Sequence, residues 1–337
     1  MTERLPKLLL TGASGFVGKE LLAKLMDQEK YEIHVLERYV TGRYSNLSRD
    51  VQTHFADVRD PSTLRNEIKL LQPDVVVHFA AISPVSYSYD HPNEVIETNF
   101  LGTVNLAEIC RQNVTNLRHF IYAGTTEEYG VTPYRPANEE TLCVPNSPYS
   151  VAKHAGTDYL RYMFLAYDFP ATIVRCTNSY GRKDDNHFFI EKIISQMVTG
   201  RKQILLGDDQ TVRDFMYVSD HVDAYLSVLE HREESIGEIL NFTSDRPMKL
   251  NDVIKLIAKL ANYEGEIIHG RIPRRPLDIE NHLLDASKSK KLLGWIAKIS
   301  LEQGLAWTIS YWREKLMAGN PARSIPDHKN EMPMVQK

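Results

Sequence analysis

Short apolar runs alternate with longer amphipathic stretches through the first half of the chain. The runs Lys7–Thr11, Glu32–Glu37, Gln52–Ala56, Val75–Phe79, His119–Ala123 and Ala171–Arg175 read as strands. Between them, stretches such as Pro61–Leu71 and Asn93–Asn113 are amphipathic and predict helices. Tyr149–Tyr167 predicts a long helix, with Pro148 just before it as a common start signal. Alternation of this kind implies an α/β fold, a parallel sheet with helices on both faces.

After Gly181 the pattern loosens. Helical runs over Phe188–Thr199, Val218–Glu230 and Leu250–Ala261 are separated by short strands and by Pro/Gly-rich connections such as Arg271–Pro276. Residues 1–180 are therefore expected to form one domain. Residues 181–318 are expected to form a smaller α/β lobe that could return strands or helices to the first. Residues 319–337 carry Pro321, Pro326 and Pro333 with little apolar content, which predicts a disordered tail.

Composition narrows the class. The 337 residues are 42% hydrophobic and 25% charged, ordinary for a soluble globular protein. A net charge of −4 gives no electrostatic reason to expect nucleic acid. No apolar run approaches the ~18 residues of a membrane span. The segment MTERLPK lacks the apolar core of a secretory signal, so a cytoplasmic location is expected. Cys110, Cys143 and Cys176 are odd in number and share no metal-type spacing; reduced structural thiols and no metal are expected.

The most informative stretch is TGASGFVG, Thr11–Gly18, which follows the apolar Leu8–Leu10 and runs into the helical KELLAKLM. A strand, a glycine turn and a helix in that order form a phosphate-binding device. Gly12 permits the turn, Gly15 lets backbone approach a pyrophosphate, and Gly18 allows close helix–strand packing. The helix start, from Phe16 and Val17 onward, would face the phosphates with unpaired N–H groups. The second strand ends in Glu37, about 20 positions beyond the glycines, where an acid would hold the ribose hydroxyls of NAD. These features make the sheet a doubly wound, Rossmann-type one. Glu37 favours NAD; Arg38 follows at once and could clamp a 2′-phosphate, which keeps NADP open.

A second pattern is Tyr149-Ser-Val-Ala-Lys153. Four residues is one helical turn, so the phenol and the ammonium share a face. A cation close to a phenol lowers its pKa and makes it a usable base. Ala123–Gly130, AGTTEEYG, follows the fifth strand directly. Ligands in open α/β sheets bind at the carboxyl ends of strands, which would set the Thr125 hydroxyl beside Tyr149.

TGASGFVG, the HFAA at His78–Ala81, the Thr125/Tyr149/Lys153 set and NSYG at Asn178–Gly181 resemble the extended short-chain dehydrogenase/reductases. Within these, the chain is similar to the nucleotide-sugar epimerases and dehydratases. VRDFMYVSDHVDA (Val212–Ala224), IPRRPLD (Ile272–Asp278) and LLGW (Leu292–Trp295) extend the resemblance over roughly residues 7–315. It implies that Tyr149 takes the proton of a sugar 4-hydroxyl, with Lys153 holding the ribose and Thr125 orienting the hydroxyl. It further implies that Asp57 holds the adenine amine, that Val58, Ala80 and Ala81 line the cofactor cleft, and that Asn178, Arg213 and Arg275 hold the substrate's nucleotide and diphosphate. The first domain would then bind the dinucleotide and the second lobe the nucleotide sugar. Homodimers are also implied, because Asn99–Asn113 and Tyr149–Tyr167 match helices that pair in this family; Leu101, Val104, Leu106 and Ile109 could serve that interface or the sheet.

The reaction turns on Thr125-Thr126-Glu127. In an extended segment Glu127 would point to the same side as Thr125, where it could remove the carbon 5 proton of a 4-keto sugar. Sugar 4,6-dehydratases resemble this pattern with Thr-Asp-Glu or Thr-Ser-Glu. Thr126 departs from the Asp form, since its hydroxyl is a poor proton donor. UDP-glucuronate decarboxylases also carry Thr-Ser-Glu, and EEYG resembles some GDP-4-keto-6-deoxymannose reductases. A 4,6-dehydratase is the leading expectation, with decarboxylase, 4-epimerase and 4-keto-sugar reductase as alternatives; intact Tyr149 and Lys153 argue against a non-catalytic NAD-binding regulator. Ser83, in Ala80–Pro92, is a candidate substrate contact. Tyr87 and Tyr89 could line the sugar pocket or simply pack, and Glu128 is expected to face away as a solvated or supporting carboxylate.

Overall fold

A computed structural model describes residues 4–38, 51–183, 185–271 and 274–318. Its central sheet is built from β1 (Lys7–Thr11), β2 (Glu32–Glu37), β3 (Gln52–Phe55), β4 (Val75–His78), β5 (His119–Ala123), β6 (Ala171–Cys176) and β7 (Ile239–Phe242). All pairings are parallel, in the order β7-β6-β5-β4-β1-β2-β3. The order reverses between β1 and β4, and a crevice at such a switch point is where doubly wound sheets bind ligands.

The apolar strands are explained by burial on both faces. Leu8 and Leu10 of β1 and Val75 and Val77 of β4 pack on one side, with Leu21, Leu22 and Leu25 of α1 (Phe16–Gln28). Leu9 and Val76 point to the other side, toward Leu64 and Ile68 of α2 (Pro61–Leu71) and Leu106 and Ile109 of α3 (Gly102–Asn113). Leu106 and Ile109 thus serve the sheet, whereas Leu101 is exposed.

The helix expected over Asn93–Asn113 is broken into Pro92–Ile96, a π-helical turn at Glu97–Leu101, and α3. Asn99 in that turn accepts from the Ile82 N–H at 2.7 Å and donates to the Ile82 carbonyl at 2.9 Å. The helix is thereby tied to the loop that follows β4. The long helix α4 covers Pro148–Tyr167, started by a capping box between Ser147 and Ser150.

The later part of the chain has its own core. Ile190, Ile193 and Ile194 meet Val253, Ile254 and Ile257 and also Leu305, Ile309 and Trp312, from helices Phe189–Val198, Leu250–Ala261 and Leu301–Met317. Between these segments the chain returns to the sheet: β7 pairs with β6, and α5 (Val218–Glu230) packs on α1. The tail 319–337 lies outside the described residues. Cys110 and Cys176 are buried and Cys143 is half-buried, all as free thiols. Among the described residues no helix is long and apolar enough to cross a membrane, and no cluster of His, Cys, Asp or Glu could hold a metal ion.

Candidate active site

The glycine turn after β1 is a cradle that side chains would fill. Gly12 has φ 69°, and a Cβ there would meet the backbone of Phe79 and Ala80 at 2.8 Å. A Cβ on Gly18 would lie 2.2 Å from the Gly12 carbonyl oxygen. Helix α1 begins after Gly15 with no side-chain cap and no acid in its first turn, so its first N–H groups, at Phe16, Val17 and Gly18, suit an anion. Beyond the turn, the Ala80 N–H donates to Thr11 Oγ1 at 3.1 Å, which fixes the start of the Ala80–Ala81 segment.

Glu37 closes β2 as a buried carboxylate, accepting from the Ser14 N–H and Oγ, each at 3.1 Å. It therefore lies against the glycine turn, where an acid could hold a ribose diol. Asp57 accepts from the Arg59 side chain, with a shortest distance of 2.7 Å. Burial pushes the Asp57 carboxyl up, but Arg59 outweighs it and Arg38 adds to the same side, leaving the group below its usual range. Val58 is buried beside it, its carbonyl held by Asn105. The open turn, the uncapped helix start and the two acids fit a dinucleotide cofactor.

At the carboxyl end of β5 the chain turns into a 3₁₀ helix, Thr126–Tyr129, rather than continuing extended. Thr125 caps it, accepting from the Glu127 N–H at 3.2 Å, while the Thr125 N–H donates to Glu128 at 2.9 Å. This turn separates the three acids and hydroxyls that the sequence groups together. Thr126 is buried and its hydroxyl donates to the Cys176 carbonyl at 3.3 Å, away from Tyr149. Glu128 is fully buried rather than solvated, bound by Arg175 of β6 at 2.7 Å. Burial alone would raise the Glu128 carboxyl; the Arg175 charge overrides it and holds the group well below its usual range.

Glu127 stays half-buried. Its negative charge favours the protonated forms of Tyr149, Arg213, Arg135 and His282. Tyr149 is buried at the start of α4, near enough to Thr125 for that side chain to favour its phenolate. Burial raises its pKa above the ordinary phenol value; Thr125 and the nearby Arg182 pull it back only in part. Lys153, one turn on, donates to the Ala123 carbonyl at 2.7 Å and lies 4.8 Å from the Tyr122 ring centre. Burial drops the Lys153 ammonium to about 8, with Glu128 opposing. In this arrangement the Lys153 ammonium faces a backbone carbonyl, and Arg182 is a nearby charge that favours the Tyr149 phenolate.

On the substrate side, Arg213 is buried and Arg275 exposed, and they share Asp278 at 3.3 and 3.4 Å. Asn178 is half-buried in a short strand, Asn178–Tyr180, paired with Phe215–Tyr217. Ser83 is exposed in the loop after β4. The two tyrosines there part company. Tyr89 donates to the Asn146 carbonyl at 3.2 Å, near Arg275 and Glu127, whereas Tyr87 bonds Glu94 at 2.6 Å at the surface.

Three further side chains enter the site without a sequence signal of their own. Arg182 packs its guanidinium on Phe188 at 3.5 Å and on Phe16 of the glycine turn at 4.3 Å, joining the second lobe to the cofactor cradle. Arg135 donates through Nη2 to the Gly130 carbonyl at 2.6 Å. His282 is fully buried and bonds the Thr126 carbonyl at 3.0 Å. Arg182 directly follows NSYG and could have been suspected from that neighbour. Arg135 and His282 lie in loops with no periodicity, so spacing gave no hint of them.

Comparison with known proteins agrees with this geometry. Residues 8–242 match the model of the NAD dependent epimerase/dehydratase family. A putative UDP-glucose 4-epimerase of Methanocaldococcus jannaschii is 29% identical, over 91% of this chain and 98% of its own. A dTDP-glucose 4,6-dehydratase of Haemophilus influenzae is 28% identical, over 90% of this chain and 97% of its own. The crystal structure of UDP-glucose 4-epimerase from Thermotoga maritima with UDP-glucose superposes with TM-score 0.84 at 30% identity, covering 92% of this chain and 99% of that one. With a glycine cradle, a Thr125–Tyr149–Lys153 set and a fold shared end to end with these enzymes, the chain belongs to the NAD dependent epimerase/dehydratase family.

Proposed function

We propose that this protein is a nucleotide-sugar 4,6-dehydratase that retains its NAD. Relatives named as dehydratases and as epimerases match at similar identity, so similarity does not choose between them. The observation that favours dehydration is Glu127, a half-buried carboxylate in the same group as Tyr149 and Arg213.

NAD, when bound, would accept hydride from carbon 4 of the sugar and later return it to carbon 6. Tyr149 takes the proton of the 4-hydroxyl, which Thr125 orients. The 4-ketone acidifies the proton on carbon 5; Glu127 removes it as general base and passes it to the carbon 6 hydroxyl, which departs as water as the double bond between carbons 5 and 6 forms. Arg213 and Arg275 hold the diphosphate, a role suited to a planar guanidinium fork. Asn178 and Ser83 complete the substrate contacts, and Lys153 holds the cofactor ribose. Thr126, bonded to the Cys176 carbonyl, supplies no acid. The protein acts as a cytoplasmic homodimer.

Mass spectrometry of products from UDP-, GDP-, CDP- and dTDP-sugars tests this reading. Loss of one water without added cofactor is the expected result. Released carbon dioxide, an unchanged mass with inverted carbon 4, or net cofactor oxidation would instead mark a decarboxylase, an epimerase or a reductase.

A further inference from the structure

A strap from the second lobe lies on the start of the cofactor cradle. Gly181–Lys183 follows the short strand Asn178–Tyr180 and docks on one face of α1. Arg182 packs on Phe16, with 4.3 Å from its guanidinium carbon to the ring centre. Lys183 bonds Glu20, one helical turn beyond Phe16, at 2.9 Å. Glu191 pins the strap's backbone: its Oε1 accepts from the Gly181 N–H at 2.8 Å and the Arg182 N–H at 2.9 Å. Arg182 Nη1 donates to the Ser179 carbonyl at 2.6 Å. Its Nε and Nη2 make no hydrogen bond among the described residues, and 12% of the side chain stays accessible.

This guanidinium is short of negative charge. Charges taken out of water need a paired ion, yet Glu191 Oε2 lies 3.8 Å from Nη1, beyond hydrogen-bond range. Asp185 bonds His187 instead, at 2.7 Å. The Phe188 ring covers one face of the guanidinium at 3.5 Å, so the unused N–H donors lie along its rim. Helix α1, for its part, begins with no side-chain cap and no acid in its first turn, which suits an anion. A cation lacking an anion and a helix start lacking one thus meet at Phe16. In an NAD-dependent family the group that brings negative charge to that helix start is the dinucleotide's diphosphate. We infer that Arg182 is a cofactor-binding residue, a side-chain donor to the diphosphate that the glycine cradle holds through its backbone. Phosphate oxygens match the planar guanidinium fork. The second lobe, expected from the sequence to take the sugar, therefore also grips NAD. This contact serves dehydration and epimerisation alike, since both use the same bound cofactor.

The test is calorimetry on the full chain stripped of cofactor. NAD, ADP-ribose and adenosine probe the cofactor side, and UDP, GDP and dTDP probe the substrate side. Arg182→Met keeps an apolar stem against the two rings and removes the donors. It should weaken NAD and ADP-ribose about tenfold or more, the loss expected for a charge-assisted bond to phosphate, and leave adenosine unchanged. Where the chain keeps NAD through purification, release of labelled NAD should quicken by the same factor. Equal losses for NAD, ADP-ribose and adenosine would mean a merely structural role and would overturn the inference. So would no loss at all, a loss for NAD with ADP-ribose unchanged, or a loss for a nucleoside diphosphate as large as that for NAD. Urea unfolding of the stripped chain reports whether Arg182→Met is folded, and Arg182→Gln decides in its place if it is not.

Discussion

Glu127 and Tyr149 share a pocket but act at different bonds, and single substitutions separate them. General-base catalysis is typically worth about 10²–10⁴-fold, so Glu127→Gln should slow elimination by that order. Tyr149→Phe should block the preceding oxidation, because no group remains to take the 4-hydroxyl proton. Given substrate, Glu127→Gln should accumulate reduced cofactor, visible in single-turnover near-ultraviolet absorbance, and Tyr149→Phe should not. Unchanged dehydration in Glu127→Gln would remove the main reason for preferring a dehydratase. Glu37 governs a separate choice. With its carboxylate on Ser14 at 3.1 Å, it should favour NAD over NADP, and Glu37→Ala should narrow the gap by weakening NAD. Calorimetry showing NADP preferred by the wild type would mean that Arg38 dominates. Residues of this kind were legible in the sequence because their partners are near in the chain or sit in spaced motifs. Arg135 and His282 were not, because the loops that bring them to Glu127 are joined by the fold: Ala137 bridges to Leu284, and the Ala137 N–H bonds the Leu283 carbonyl at 2.9 Å.

The turn Thr126–Tyr129 shows what local geometry adds to a motif. Read as extended chain, Thr125-Thr126-Glu127 would alternate sides; as a 3₁₀ turn it sends Thr126 to the end of β6, buries Glu128 beneath and leaves Glu127 at the pocket. The cause is the capping box, in which Glu128 reaches back to the Thr125 N–H. Its carboxylate is held from the far side by Arg175, so a buried ion pair on β6 fixes the cap that positions Thr125. Removing one partner of such a pair leaves an uncompensated buried charge and costs about 3–5 kcal/mol. Glu128→Gln should lower the urea unfolding free energy by that amount and also impair oxidation; a loss below about 1 kcal/mol would mean that the pair contributes little. Strands and most helices were readable from apolar pattern because both faces of the sheet are buried. The break at Glu97–Leu101 was not, since its Asn99 is tied by two bonds to the loop at Ile82, a contact distant in sequence.

Two packed faces on one sheet leave several imidazoles inside the molecule, and this sets its acid response. Burial lowers His78, His119 and His221 to about 3 and His282 to about 4, with nearby cations assisting in each case. Their unfolded forms take up protons near pH 6.5, so the unfolded state binds more protons and stability falls as pH drops below that value. Each group contributes up to about 1.4 kcal/mol per pH unit. His154 runs the other way: Cys143 and then Glu128, whose carboxylate lies 3.7 Å from its Nδ1, raise it to about 10, so its contribution is full below pH 6.5 and fades as pH rises toward 10. Urea unfolding between pH 5 and 9 should therefore give a maximum near pH 6.5–7, and a flat profile down to pH 5 would contradict the buried imidazoles. The outer side of the same fold carries the last expectation. Helices α3 and α4 lie side by side, joined by the Tyr159 hydroxyl donating to Glu108 at 2.8 Å. Their surface, with Leu101 of the turn before α3, leaves Leu101, Val151, Tyr162, Leu165 and Tyr167 between 46 and 79% exposed. Because Leu106 and Ile109 are already committed to the sheet, these five are the apolar side chains free to meet a second copy, and a two-fold pairing would bury the same patch on both. Light scattering at micromolar concentration should give twice the 38.7 kDa chain mass, and Leu165→Glu, which places two like charges near the axis, should return it to one. A wild-type monomer would rule the pairing out, and a dimer indifferent to Leu165→Glu would move the interface to another face.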